Sequence, residues 1–154
     1  MSQDESSGPD VRLLIIGYGN TLRGDDGVGP KVAEAVEALK LPGVHTFTCQ
    51  QLSPEHAEMI SRTERVVFVD AAVDAPNEVQ LRELVPGETT QLMAHAADPR
   101  TMLALARDVF GHAPKAWWLT IPALNLEFSE LLSPTARQGL EGAVEKVRSL
   151  AAEG

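Results

Sequence analysis

From Val11 onward, short apolar runs alternate with longer amphipathic segments. Three of the runs, "RLLIIGYG" near residues 12 to 18, "RVVFVDAA" near 65 to 71 and "AWWLTIPA" near 116 to 122, are continuous in hydrophobicity. That is the pattern of strands buried on both faces. "HTFTC" near residues 45 to 49 predicts a further strand. "EVQLREL", residues 78 to 84, alternates Val79 and Leu81 with polar neighbours and predicts a half-exposed or edge strand. Between the strands lie helical patterns. Val28, Val32, Val36 and Leu39 share one helix face, with Lys31, Glu34 and Lys40 directed elsewhere. Three other helices are predicted to start where a capping residue precedes a proline: Ser53-Pro54, Asp98-Pro99 and Ser133-Pro134. Leu103, Ala106 and Phe110 form a stripe behind Asp98, and Leu140, Val144, Val147 and Ala151 form another behind Ser133. Alternating strands and helices of this kind predict βαβ units and an α/β fold, a three-layer α/β/α sandwich around a mostly parallel sheet.

The first ten residues, "MSQDESSGPD", carry no apolar periodicity and are expected to form a disordered tail, leaving residues 11–154 as a single domain. Composition narrows the partners. The chain has 154 residues, of which 44% are hydrophobic but only 5% aromatic, so aliphatic packing dominates its core. A net charge of -9, from 22 acids against 13 bases, repels phosphate backbones and anionic lipid and argues against nucleic acid or membrane as partner. A single cysteine, Cys49, supports no internal disulfide framework, and no signal-like or membrane-spanning run is present. The expected location is cytoplasmic.

In a parallel sheet, ligands collect outside the carboxyl ends of the strands. Asp25 and Asp26 follow the first central strand, and Asp70 closes the second. His95 lies in "QLMAHAADP", which leads into the helix beginning near Pro99. Two carboxylates and an imidazole would make an O/O/N site for a divalent transition ion with positions open to substrate. Plainer roles exist for each residue. Asp25 or Asp26 could cap the following helix, Asp70 could bond the turn behind it, and a loop histidine could be solvated.

"GYGNTL" imitates a dinucleotide fingerprint but has Leu22 in place of the third glycine, and its helix starts too late to aim amides at a pyrophosphate. Gly17 and Gly19 are expected to permit backbone turns at the strand exit, and Asn20 to hydrogen-bond locally. His45, His56 and His112 are assigned no chemistry. Cys49 is expected to be a small buried hydrophobe. Trp117 and Trp118 are adjacent in a strand and must face opposite sides of the sheet.

The motifs "GYGNTLRGDDGVGP", "VVFVDAA", "HAADPRTMLALARDVFG" and "LSPTARQGLEGAVEKV" together resemble the [NiFe]-hydrogenase maturation endopeptidase family over nearly the whole chain, Arg12 to about Arg148. The resemblance implies an α/β sandwich that removes a C-terminal extension from the precursor of a hydrogenase large subunit after nickel insertion. It also implies a metal-contacting and catalytic set of Asp26, Asp70 and His95, with the nickel carried by the substrate and no organic cofactor. Where some relatives carry a "DGGT"-like turn after the second strand, this chain reads "CQQLSPEHAE". Gln51 and Leu52 then stand where they could select the precursor, or serve only as a loop residue and a helix-entry staple. Two other classes compete. A receiver-like signalling domain would use Asp25, Asp26 and a phosphoacceptor Asp70, though "WWLTIPALN" lacks its lysine; a nucleotide-binding module is the second.

Overall fold

The computed structural model describes residues 11–73, 78–87 and 98–153; the predicted tail and His95 lie outside them. Five strands form one sheet. They are β1 (Val11–Tyr18), β2 (Val44–Cys49), β3 (Thr63–Ala72), β4 (Gln80–Leu84) and β5 (Lys115–Pro122), in the order β2-β1-β3-β5-β4. All pairings are parallel except that of β4, which runs antiparallel along the edge of β5. The predicted edge strand is thus an edge strand, and the three continuous apolar runs occupy the centre.

Helix α1 (Val28–Leu39) and helix α4 (Pro134–Glu153) cover one face of the sheet, over Leu13, Ile15, Val67, Val69, Leu119 and Ile121. Helices α2 (His56–Ser61) and α3 (Pro99–Phe110) cover the other, over Leu14, Ile16, Val66 and Phe68. Alternation along each strand makes this division, and it sends Trp117 to the first face and Trp118 to the second. Among the described residues no helix is long and apolar enough to cross a membrane.

Two of the three predicted starts hold. Asp98 accepts from the amide of Arg100, with Pro99 as the first helical residue, and Ser133 Oγ accepts from the amide of Ala136. The Ser53-Pro54 start does not. Pro54 stands in a turn, α2 opens at His56, and the bond runs in reverse, from the Ser53 amide to His56 Nδ1. Helical faces also shift. Leu39 and Phe110 at the helix ends are exposed, and in α4 the buried line is Ala136, Gly139, Ala143, Val147 and Leu150; of the predicted stripe Val147 lies on that line, while Leu140, Val144 and Ala151 pack partly buried beside it. Small residues win that line because α4 lies close on β5: a Cβ on Gly139 would meet Ile121 Cγ2 at 2.6 Å.

Gly17 does not turn the chain; it continues β1, and it is there for close approach. A Cβ on it would strike the carbonyl oxygen of Gly29, while a Cβ on Gly29 would lie 2.7 Å from the oxygen of Tyr18 and as close to that of Val69. The first turn of α1 therefore sits backbone against backbone over the place where β1 and β3 part. Gly29→Ala is expected to destabilise the fold by about 1–3 kcal/mol, the ordinary range for overpacking. Urea unfolding measures it, and Gly142→Ala, on an open part of α4, serves as control.

Candidate functional site

The sheet reverses its winding between β1 and β3, the usual place for a ligand crevice. Pairing of β1 with β3 ends at Gly17↔Val69; Tyr18 continues with Cys49 of β2, whereas Asp70 continues with Thr120 of β5. The strands diverge there, and Tyr18 Oη spans the gap by donating to Asp70 Oδ2 at 3.0 Å. Tyr18, Asp70 and Trp118 all fall on the α2/α3 face.

Burial is the main influence on Asp70, whose pKa it pushes up to about 6. The hydrogen bonds from Tyr18 and the Ala71 amide oppose that rise, the negative charge of Asp26 adds to it, and the Trp118 indole opposes it. The two acids therefore share one electrostatic environment at the strand ends. Tyr18 is pushed well above the usual phenol range by burial first and by the Asp70 charge next, so it remains a donor. Asp98, at the start of α3, contributes to that rise as well. Trp118 Nε1 is buried without a hydrogen-bond partner among the described residues, though its N–H favours the ionised forms of both oxygens nearby.

The loop between β1 and α1 holds Asp26 in place. Asn20 donates its amide to Asp26 Oδ2 at 2.8 Å and closes the loop through its own Oδ1, which accepts from the Leu22 amide. Gly19, at φ 146°, lets the chain pass the Asp26 carbonyl, which a Cβ would strike.

Asp25 has a different role from Asp26. It is 0% exposed and caps no part of α1, whose preceding residue is Gly27 and makes no side-chain cap. Its carboxylate accepts four hydrogen bonds: from the amides of Leu124 (2.8 Å), Asn125 (3.1 Å) and Ser133 (2.7 Å), and from Ser133 Oγ (2.7 Å). Burial works against its ionisation, but the Ser133 hydroxyl and amide, followed by the Leu124 and Asn125 amides, outweigh it and hold the pKa below the ordinary range. Asp25 is thereby withdrawn from the acidic pair that a receiver-like site would need. The space beside Gly17, which a nucleotide site would need, is filled by Gly29.

Other expectations resolve individually. Leu52 is 2% exposed and packs in the α2/α3 core, so it belongs to the helix entry and cannot present itself to a substrate; Gln51 is exposed. Cys49 is half-buried at the rim with its thiol pKa raised by burial, and its carbonyl accepts from the Gly19 amide. His56 packs edge-on against Phe47, and His112 meets the Thr63 carbonyl at 3.0 Å instead of a helix end. Among the described residues no three His, Cys, Asp or Glu side chains form a metal site. Tyr18, Asn20 and Ser133 were not legible as site residues, although a polar-tipped aromatic closing an aliphatic strand is a signal for the first.

No family model matches the chain, and no curated protein matches it. Solved structures do match. The hydrogenase maturating endopeptidase HybD from E. coli is 23% identical with a TM-score of 0.74, and the match covers 93% of each chain. The [NiFe] hydrogenase maturation protease HybD from Thermococcus kodakarensis is 26% identical with a TM-score of 0.67, covering 92% of this chain and 99% of that one. The maturation protease HycI from the same organism is 23% identical with a TM-score of 0.71, covering 92% and 93%. The family likeness carried by the motifs is thus matched by the fold: this chain has the architecture of the hydrogenase maturation endopeptidases.

Asp25 and Asp70 should behave oppositely in stability measurements. Asp25→Ala leaves three amide donors without their acceptor and is expected to cost on the order of 3–5 kcal/mol. Because the folded pKa of Asp25 is lowered, its contribution is complete above about pH 4 and is lost as the pH falls further. Asp70→Asn keeps an acceptor for Tyr18 and removes a charge whose folded pKa is raised. It is expected to stabilise the protein at pH 7.5 by on the order of 1–2 kcal/mol, after allowance for partial exposure, with the gain vanishing between pH 6 and 4. Denaturant midpoints across pH test both.

Proposed function

We propose that this chain is an endopeptidase that removes the C-terminal extension of a nickel-loaded [NiFe]-hydrogenase large-subunit precursor, with Asp26, Asp70 and His95 meeting the nickel that the substrate carries. The observation that supports this reading most is the convergence of Asp26 and Asp70, from separate loops, at the β1/β3 crevice of a fold shared with maturation endopeptidases. A carboxylate whose proton affinity is raised by burial and by a neighbouring acid, as that of Asp70 is, gains from a cation placed beside it. Each has one oxygen already oriented by the protein, Asp26 by the Asn20 amide and Asp70 by the Tyr18 hydroxyl. Such fixing leaves the other oxygens to face a ligand with little ordering cost.

His95 completes the set as the nitrogen donor. It stands three residues before Asp98 in the chain, in the segment that leads into α3. Nickel held there would mark the precursor as loaded and supply a Lewis acid beside the scissile carbonyl. The chain's own task is to orient three ligands on a rim that a folded protein substrate can approach. A cytoplasmic location is part of the same proposal.

Incubation with nickel-loaded and nickel-free precursors, followed by mass, tests the reading. Cleavage confined to the loaded form is expected. Asp26→Ala, Asp70→Ala and His95→Ala should each fold and each lose at least a hundredfold in processing rate, because each removes a ligand and no core volume. Wild-type rates in all three would remove the triad.

A further inference from the structure

Residues 123–133 contain no helix or strand, yet they are tightly held. Besides the four bonds to Asp25, the amide of Asp25 donates to the Asn125 carbonyl, that of Gly24 to the Ser129 carbonyl, and that of Ser129 to the Leu22 carbonyl. Lys31 Nζ donates to the Glu130 carbonyl at 3.1 Å. Within the segment, Glu127 and Leu131 amides donate to Asn125 Oδ1 and Ser129 Oγ. Leu132 packs against the core and Leu126 is half-buried, but three of the segment's large apolar side chains are left in water: Phe128 is 85% exposed, Leu131 74% and Leu124 62%.

The same bonds gather two more. Leu22 (45% exposed) is joined to Ser129, and Val73 (55% exposed) follows Ala72, whose carbonyl accepts from the Ala123 amide just before Leu124. Five of the nine large apolar side chains exposed among the described residues therefore sit on one side of the strand-end rim, beside the loop that carries Asp26. Exposed apolar groups clustered and rimmed by polar ones mark binding surfaces, and a surface fixed in advance binds at lower ordering cost.

We infer that this strip is the docking face for the precursor, and that it takes a stretch of the substrate bearing large apolar side chains next to Lys or Arg. The inference rests on the proposed function and adds the place and chemistry of substrate recognition. Charge selects the occupant. Exposed Glu127 and Glu130 lie within the strip, and neither takes part in an ion pair among the described residues; Asp26 is next in the chain to the strip's anchor, Asp25. Nearby bases are Arg23, Lys31 and Arg137, the last two engaged at the backbone carbonyls of Glu130 and Leu132, so acids still outnumber bases around the strip. Because Asp25 anchors the strip and Asp26 follows it directly in the chain, a segment seated here is delivered to the acids in a fixed orientation.

The test measures processing of several nickel-loaded large-subunit precursors by full-length protein. A Phe128→Ser/Leu131→Ser variant, both positions being exposed, should retain wild-type thermal stability while KM rises at least tenfold and kcat stays within twofold. Glu127→Lys/Glu130→Lys should raise KM and weaken its dependence on salt. Unchanged KM in both variants, with wild-type cleavage intact, overturns the docking face and leaves the proposed function standing. A wild-type dimer in sedimentation that the Phe128/Leu131 variant dissolves also overturns it, since a second copy then covers the strip. Failure of the folded wild-type protein to cleave any loaded precursor overturns the proposed function itself, and the docking face with it.

Discussion

The structure depends on one buried carboxylate. Asp25 collects three amides and a hydroxyl from residues 99 to 108 positions further along the chain. A charge with no access to water is tolerated only when its lone pairs are filled, and here the filling groups are those that a loop without secondary structure would otherwise leave bare. The same bonds set the entrance of α4, because Ser133 both donates to Asp25 and caps the helix through Ala136. They also fix the short turn Gly24–Gly27, and with it the position from which Asp26 leaves the chain.

The acids are thereby put to opposite uses. Asp25 is stabilised as an anion by donors that reach it from a distance, whereas Asp70 is only partly compensated and has the Asp26 charge nearby. An under-compensated acid at a strand-end crevice carries a local cost that a cation would relieve, which is the electrostatic character of a functional site. Packing around them is close. With Gly17, Gly19 and Gly29 the α1 backbone presses on the strand ends, so the acids stand at the edge of a rigid scaffold that has little room to relax. The strip of Leu22, Val73, Leu124, Phe128 and Leu131 is built on the same anchor, joining the place of chemistry to the surface beside it.

Much of this was legible in the sequence. Continuous aliphatic runs declared the central strands, alternation around Val79 and Leu81 declared the edge, and Asp98-Pro99 and Ser133-Pro134 declared two helix starts. These signals are local, since strand burial, helix period and capping act over a few residues. The carboxyl-end position of Asp26 and Asp70 followed from strand order of the usual kind. What the local signals could not divide was the pair Asp25 and Asp26, which are chemically identical and adjacent. Only the return of residues 123–133 gave Asp25 its donors and left Asp26 at the rim. Gly17 likewise read as a turn residue until α1 was placed over it, and Leu52 stayed open between recognition and helix entry until the α2/α3 layer closed on it. The chain by itself determined which segments are strands and helices and where acids stand among them. Tertiary structure alone decided which acid is buried and which apolar side chains are left in water, because both depend on contacts between residues about a hundred positions apart.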